Sequence, residues 1–193
     1  VRRWIYEGGG FIGIGEPSAI HHGGKFFQLS DALGIDKELG FSLSTDKYFK
    51  EACPSHFITA EMKEKIDFGE SMKNIYATGK DTEIIEYSHG EIHLSAHDYG
   101  KGRAVYIAGL PFNTSNTRLL LRAMYYAAHQ EKELMKFYAD NINVEVNAYP
   151  EIKKYAVLNN SDKRQNSKVY DGKYKEMTLE LLPGEIRWLE MED

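Results

Sequence analysis

The chain opens with a helix-like run that passes straight into a glycine-punctuated apolar segment: Trp4-Ile5-Tyr6-Glu7-Gly8-Gly9-Gly10-Phe11-Ile12-Gly13-Ile14-Gly15-Glu16-Pro17-Ser18-Ala19. Val1 to Tyr6 read as the last turns of a helix, with Gly8 supplying a left-handed stop. Phe11 to Gly15 read as a short buried strand, apolar on both faces, with glycines where another segment packs close. Gly8, Gly10 and Gly13 satisfy G-x-G-x-x-G, but that pattern holds a pyrophosphate only when a strand precedes it and a helix follows. Here the order is reversed and Pro17 follows, so the spacing reads as a packing device. With no initiator Met and no earlier element, the sequence reads as a piece of a longer protein.

A formal charge of −5 over 193 residues, with no basic stripe, argues against a nucleic-acid surface. No apolar run approaches the ~20 residues that span a bilayer, and no signal-peptide pattern is visible. The lone Cys53 excludes an internal disulfide and fits a reducing, cytoplasmic setting. It lacks a local nucleophile signature and reads as a structural thiol.

Phe26, Phe27, Leu29 and Leu33 give the next segment the apolar side of a helix ended by Gly34. Residues 35 to 62 are loop-rich, which in a compact domain marks a functional or packed segment. Asn74–Thr78, Glu83–Tyr87, Ile92–Ala96 and Arg103–Gly109 read as strands, with turn signals at Gly79-Lys80-Asp81, His89-Gly90 and Asp98–Gly102. Thr114 or Ser115 caps a long helix whose stripe is Leu120, Ala123, Met124 and Ala127, extending toward Tyr138 through Leu134 and Phe137. Past Asp140 the helical period disappears. Ile142, Val144 and Val146 alternate with polar neighbours, Tyr155–Leu158 precedes a polar turn over 159–166, and Met177, Leu179 and Leu181 share a face before Pro183-Gly184 and a last strand. The division is therefore an α/β domain over 1–139 and a small antiparallel β module over 140–193, which at that size needs a neighbour to complete its core.

Few residues carry a chemical reading. His89, His93 and His97 recur every four residues, but in a strand His93 and His97 stand roughly 13 Å apart at ~3.3 Å per residue. Zinc–ligand bonds are about 2 Å, so no metal site follows, and these read as solvent-facing or edge histidines. Glu16, Ser18 and His21 share a loop at a strand end, where α/β proteins place function, and read as a substrate-side or interdomain contact. Asp46 and Tyr48, within Ser44-Thr45-Asp46-Lys47-Tyr48, are further candidates for a substrate-side or interdomain contact, the structural reading being an Asx or ST turn that holds the long loop. No Ser-His-Asp triad, Cys-His pair or supported carboxylate pair is present, so no catalytic residue and no cofactor is assigned.

The opening glycine run with Gly15-Glu16-Pro17-Ser18-Ala19, Phe26-Phe27-Gln28-Leu29-Ser30-Asp31 and Ser42–Tyr48 resembles the lacto-N-biose phosphorylase family over nearly the whole chain. Tyr99-Gly100-Lys101-Gly102-Arg103 resembles the amidotransferase-like domain of related β-galactosidases, and Leu182–Arg187 the closing β module of the same enzymes. The resemblance implies an upstream (β/α)8 barrel in the same protein, then the second half of an amidotransferase-like, flavodoxin-like α/β domain, then a β-sandwich module. It implies inverting phosphorolysis of a galactosyl disaccharide, with one carboxylic acid protonating the departing oxygen while phosphate attacks. That acid is expected on the barrel, and the acceptor sugar, N-acetylhexosamine or rhamnose, is not readable here. A start inside a domain would leave the sheet holding Phe11, Ile12 and Ile14 partly uncovered, so the chain is expected either to self-associate, as a homo-oligomer, or to owe its order to upstream chain. The alternative reading is a self-standing sugar-binding or assembly module.

Overall fold

The computed structural model describes residues 1–22, 25–38, 51–62, 64–173 and 175–191. Contacts divide them into two compact units, Val1–His129 and Gln130–Asp193. In chain order the first holds α1 (Arg2–Tyr6), β1 (Gly10–Ile14), β2 (Ala19–His22), β3 (Lys25–Phe27), α2 (Ser30–Leu33), β4 (Ile35–Lys37), β5 (Ile75–Ala77), β6 (Glu83–Ser88), β7 (Glu91–Tyr99), β8 (Gly102–Ile107) and α3 (Thr114–Ala127).

Its main sheet has the order β1-β8-β7-β6, and only β1 and β8 run parallel. This overturns the expected flavodoxin-like α/β class, which needs a parallel sheet sandwiched by crossover helices. The cause is local. His89 and Gly90 both take positive φ, the geometry of a two-residue hairpin turn, and Gly100 (φ 66°) turns β7 into β8. Strands joined by such short turns can only pair antiparallel. Two further ribbons, β2 with β3 and β4 with β5, are present among the described residues of this unit.

The sheet is covered on both faces, as the period of two along β8 requires. Ala104 and Tyr106 face Phe26, Phe27, Leu33, Ile84 and Ile92. Val105 and Ile107 face Ile58, Leu94 and the Leu119, Ala123 and Ala127 stripe of α3. β1 lies at the sheet's edge and is mostly half-buried, rather than central and buried on both faces. Its glycines do admit close neighbours: a Cβ at Gly10 would stand 2.5 Å from the Ala127 carbonyl oxygen, and one at Gly13 2.6 Å from Pro17.

Several element boundaries differ from expectation. Phe26 and Phe27 belong to β3, and only the four residues of α2 are helical before Gly34 takes the left-handed cap. The cap of α3 is Asn113, whose side chain accepts from the Asn116 amide at 2.8 Å. The buried stripe of α3 runs through Asn116, Leu119, Ala123 and Ala127, leaving Met124 about half exposed at 54%. The helix stops at Ala127, well short of Tyr138.

The second unit holds α4 (Glu131–Leu134), β9 (Phe137–Ala139), β10 (Val144–Tyr149), a 3-10 turn (Pro150–Ile152), β11 (Lys154–Asn159), β12 (Gln165–Asp171), β13 (Glu176–Leu181) and β14 (Ile186–Glu190). Two three-stranded antiparallel sheets, β10-β11-β14 and β13-β12-β9, share a core of Ala139, Val144, Tyr155, Val157, Val169 and Leu181. This is a sandwich-like module. Strand β12 begins inside the segment read as a polar turn over 159–166. The turn itself is tied by Asn159, fully buried, whose Nδ2 donates to the Lys163 and Leu182 carbonyls at 2.7 and 2.9 Å.

Candidate functional site

Strands β1 and β8, the parallel pair of the main sheet, end together at Ile14 and Ile107, and loops leaving strand ends are where folds commonly carry function. The chemistry-bearing side chains of this end come from several segments. The Gly15 amide extends the ladder by donating to the Ile107 carbonyl at 2.9 Å. The Tyr106 hydroxyl donates to the Gly15 carbonyl at 3.2 Å from a side chain with no exposed surface. Burial, and secondarily Glu16 and Glu91, push that phenol well above its ordinary range, so it serves as a fixed donor. Glu16 itself is exposed.

Ser18 takes φ 58°, its Oγ accepts from the Leu29 amide at 3.2 Å, and its carbonyl accepts from Gln28 at 3.0 Å. Its hydroxyl thus ties the Glu16–Ser18 loop to the start of α2. The backbone of His21 lies in β2. Asp46 and Tyr48 lie outside the described residues. Of the five residues singled out in the sequence, the structure therefore brings Glu16 and Ser18 to one loop.

Several groups at this end were not singled out as site residues. The segment 65–74 crosses the end of β8, where Met72 donates to the Ala108 carbonyl at 3.0 Å and a Cβ on Gly109 would meet the Phe68 carbonyl. Phe68 there stacks on His93, ring centroids 4.9 Å apart and planes 14° from parallel. The His93 Nδ1 is buried with no hydrogen-bond partner among the described residues, and burial pulls the imidazole below its ordinary pKa despite the Ser88 backbone and Glu91. His97 is buried at 8% exposure, so neither strand histidine is the solvent-facing residue expected. Glu91 accepts from the Asn74 amide at 2.7 Å. Phe112, five residues past the end of β8, is 99% exposed. On β6, Glu86 is half-buried and its carboxyl is held above the ordinary range by desolvation. Apolar residues alternating with His93 and His97 along β7 read as a half-solvated strand, and the cover over the second face comes from segments remote in sequence.

Chemically, this end offers a neutral imidazole, a fixed phenol donor, an exposed carboxylate and an exposed aromatic ring. Among the described residues no group of three His, Cys, Asp or Glu side chains has the geometry to hold a metal ion. Cys53 is half-buried, and burial pushes its thiol away from the thiolate. No helix among the described residues is long and apolar enough to cross a membrane.

Residues 1–132 match the lacto-N-biose phosphorylase central domain, and residues 137–189 match the C-terminal domain of the same family. The chain is 45% identical over 188 residues to the 1,3-β-galactosyl-N-acetylhexosamine phosphorylase Cphy3030 of Lachnoclostridium phytofermentans, covering 97% of this chain and 26% of that protein. It is 37% identical over 201 residues to the 1,3-β-galactosyl-N-acetylhexosamine phosphorylase of Bifidobacterium longum subsp. longum, covering 88% of this chain and 27% of that protein. The chain thus spans about a quarter of the length of these curated relatives. A β-galactosidase from Rahnella sp. R3 shares the fold alone, at TM-score 0.53 and 16% identity, over 98% of this chain and 30% of that one. Two matched domains, together spanning nearly every residue, make this chain a member of the lacto-N-biose phosphorylase family.

Proposed function

We propose that this chain is the C-terminal, non-catalytic portion of an inverting glycoside phosphorylase that cleaves β-galactosyl disaccharides with phosphate. The observation that carries the reading is the pairing of a central-domain match with a C-terminal-domain match, in a chain about a quarter as long as relatives named as phosphorylases. In the reaction, a phosphate oxygen bonds to the anomeric carbon as the glycosidic bond breaks. A carboxylic acid gives its proton to the departing sugar oxygen, and galactose 1-phosphate leaves with inverted configuration. That acid belongs to a preceding (β/α)8 barrel. The present units buttress the barrel and support a cytoplasmic homo-oligomer. The exposed Glu16 loop and Phe112 serve as contacts beside the substrate or the barrel.

The test is a comparison of two proteins. A full-length form carrying the upstream region releases galactose 1-phosphate from galactosyl-β-1,3-N-acetylhexosamine in the presence of phosphate, and the 193-residue chain does not. Release by the 193-residue chain alone overturns the non-catalytic reading, and a silent full-length protein overturns the phosphorylase reading.

A further inference from the structure

The outer face of the β10-β11-β14 sheet is built unlike an ordinary solvated face. Its middle row is Asn147, Ala156 and Trp188, and the row beside it is Tyr149, Lys154 and Glu190. The small Ala156 lets the Trp188 and Tyr149 rings meet diagonally above it, centroids 5.3 Å apart and planes tilted by 45°. Ala156 is thereby only 5% exposed, while Trp188 and Tyr149 remain 52% and 44% exposed. Lys154 and Glu190 pair at 3.1 Å along one border, and the exposed Asn147 amide stands along another. On the other side of Trp188 the next row of this face is Glu145, Leu158 and Ile186, with Ile186 57% exposed. Half-exposed aromatic rings held by each other, with polar side chains along two borders, offer an apolar surface and hydrogen-bonding groups side by side.

We propose that Trp188 and Tyr149 form a stacking bed for a galactosyl ring. The axial 4-hydroxyl of galactose gathers the C–H bonds of C3, C4 and C5 on one face of the pyranose, which lies on Trp188. The tilted Tyr149 flanks the ring edge. Asn147, Lys154 and Glu190 supply donors and acceptors for the hydroxyls. A galactosyl occupant rests on the reading above that the whole protein handles galactosyl sugars, whereas the bed itself rests on the two rings.

The chain has two tryptophans, so a Trp4→Phe variant leaves Trp188 as the single reporter. Titration of this 193-residue variant with methyl β-galactoside, without phosphate, gives a saturable change in Trp188 emission at roughly millimolar Kd, and methyl β-glucoside binds more weakly. Calorimetry on Trp188→Ala shows binding weakened by about tenfold or more, with Tyr149→Ala between the two. Should Trp188→Ala fail to fold, the Trp4→Phe titration still decides. No saturation, equal response to both sugars, or undiminished binding in a folded Trp188→Ala protein overturns the proposal. So does concentration-dependent self-association that Trp188→Ala abolishes, because the patch is then a face between copies. The assay needs no turnover, so it stands or falls separately from the phosphorylase reading.

Discussion

The imidazole of His93 lies flat on the ring of Phe68, with 4.9 Å between centroids. Stacked and half-buried, it is held below its ordinary pKa of 6.5, and the charged groups nearby are Glu91, which favours the imidazolium, and His89 and Lys65, which oppose it. As the pH falls below about 6.5, the unfolded chain binds a proton that the native imidazole resists, so stability declines until the lowered native value is passed. His93→Phe removes that part of the decline. Melting temperatures between pH 8 and pH 5 should fall less steeply for the variant, and parallel curves would count against this account.

Glu86 carries the opposite sign. Burial raises its carboxyl pKa above the ordinary 4.5, so the native state retains a proton that the unfolded chain releases. Stability is therefore lost as pH rises from the unfolded value through the raised native one, and it stays lower above that. Glu86→Gln should flatten this step and raise the melting temperature at pH 7 relative to the parent. A variant less stable at pH 7 would mean that the ionised carboxylate is well accommodated.

Gly10 and Gly15 fail differently when replaced. At Gly10 the obstacle is space, since a Cβ would stand 2.5 Å from the Ala127 carbonyl oxygen and 2.6 Å from its carbon. Gly10→Ala should cost about 1–3 kcal/mol, and Gly10→Asn more. Nothing stands within 4 Å of a Cβ on Gly15, but its φ is +67°. There the obstacle is the left-handed backbone, so Gly15→Asn should be milder than Gly15→Ala. Chemical denaturation of the four variants checks the crossing of the two orders.

In the second unit, Asn159 joins the 159–163 turn to the end of β13. Besides its two shorter donor bonds, its Oδ1 accepts from the Ser161 amide at 3.0 Å and hydroxyl at 2.8 Å. Asn159→Ala strands several groups at once, each costing roughly 1–3 kcal/mol where buried. We expect the melting of this unit to fall by many degrees, while Ser161→Ala, which removes only the hydroxyl bonds, costs far less. Equal effects would show that the turn is held by its backbone.

Most strands of both units were legible because their signals are local. Alternation marked Val144 and Val146, and Pro183-Gly184 marked the last turn. The hairpin turns at His89-Gly90 and Gly100 were legible too, and they already demanded antiparallel neighbours for β6, β7 and β8. The parallel, flavodoxin-like expectation came from the family resemblance and overrode them. The stripe of α3 was misread because its buried side includes Asn116 and Arg122. The Arg122 Nε donates to the Phe57 carbonyl at 2.7 Å and its guanidinium pairs with Glu61, contacts that no helical period of apolar residues reveals. Glu16 and Ser18 were singled out through their strand-end position alone. His93 was read as an edge or solvent-facing residue and Tyr106 was not singled out, because their setting depends on segment 65–74 and on β1, which are remote in sequence.

The Tyr106-to-Gly15 hydrogen bond joins residues 91 apart, and the parallel β1–β8 ladder around it closes a loop of the same order. Closing such a loop must precede the contacts that reward it, whereas β10, β11 and the β12–β13 hairpin meet through short connections. During synthesis the first unit therefore emerges early but matures late. Until β8 has left the ribosome, β1 is unpaired along both edges, and the interval between those two events is when the nascent chain is most exposed to misassociation.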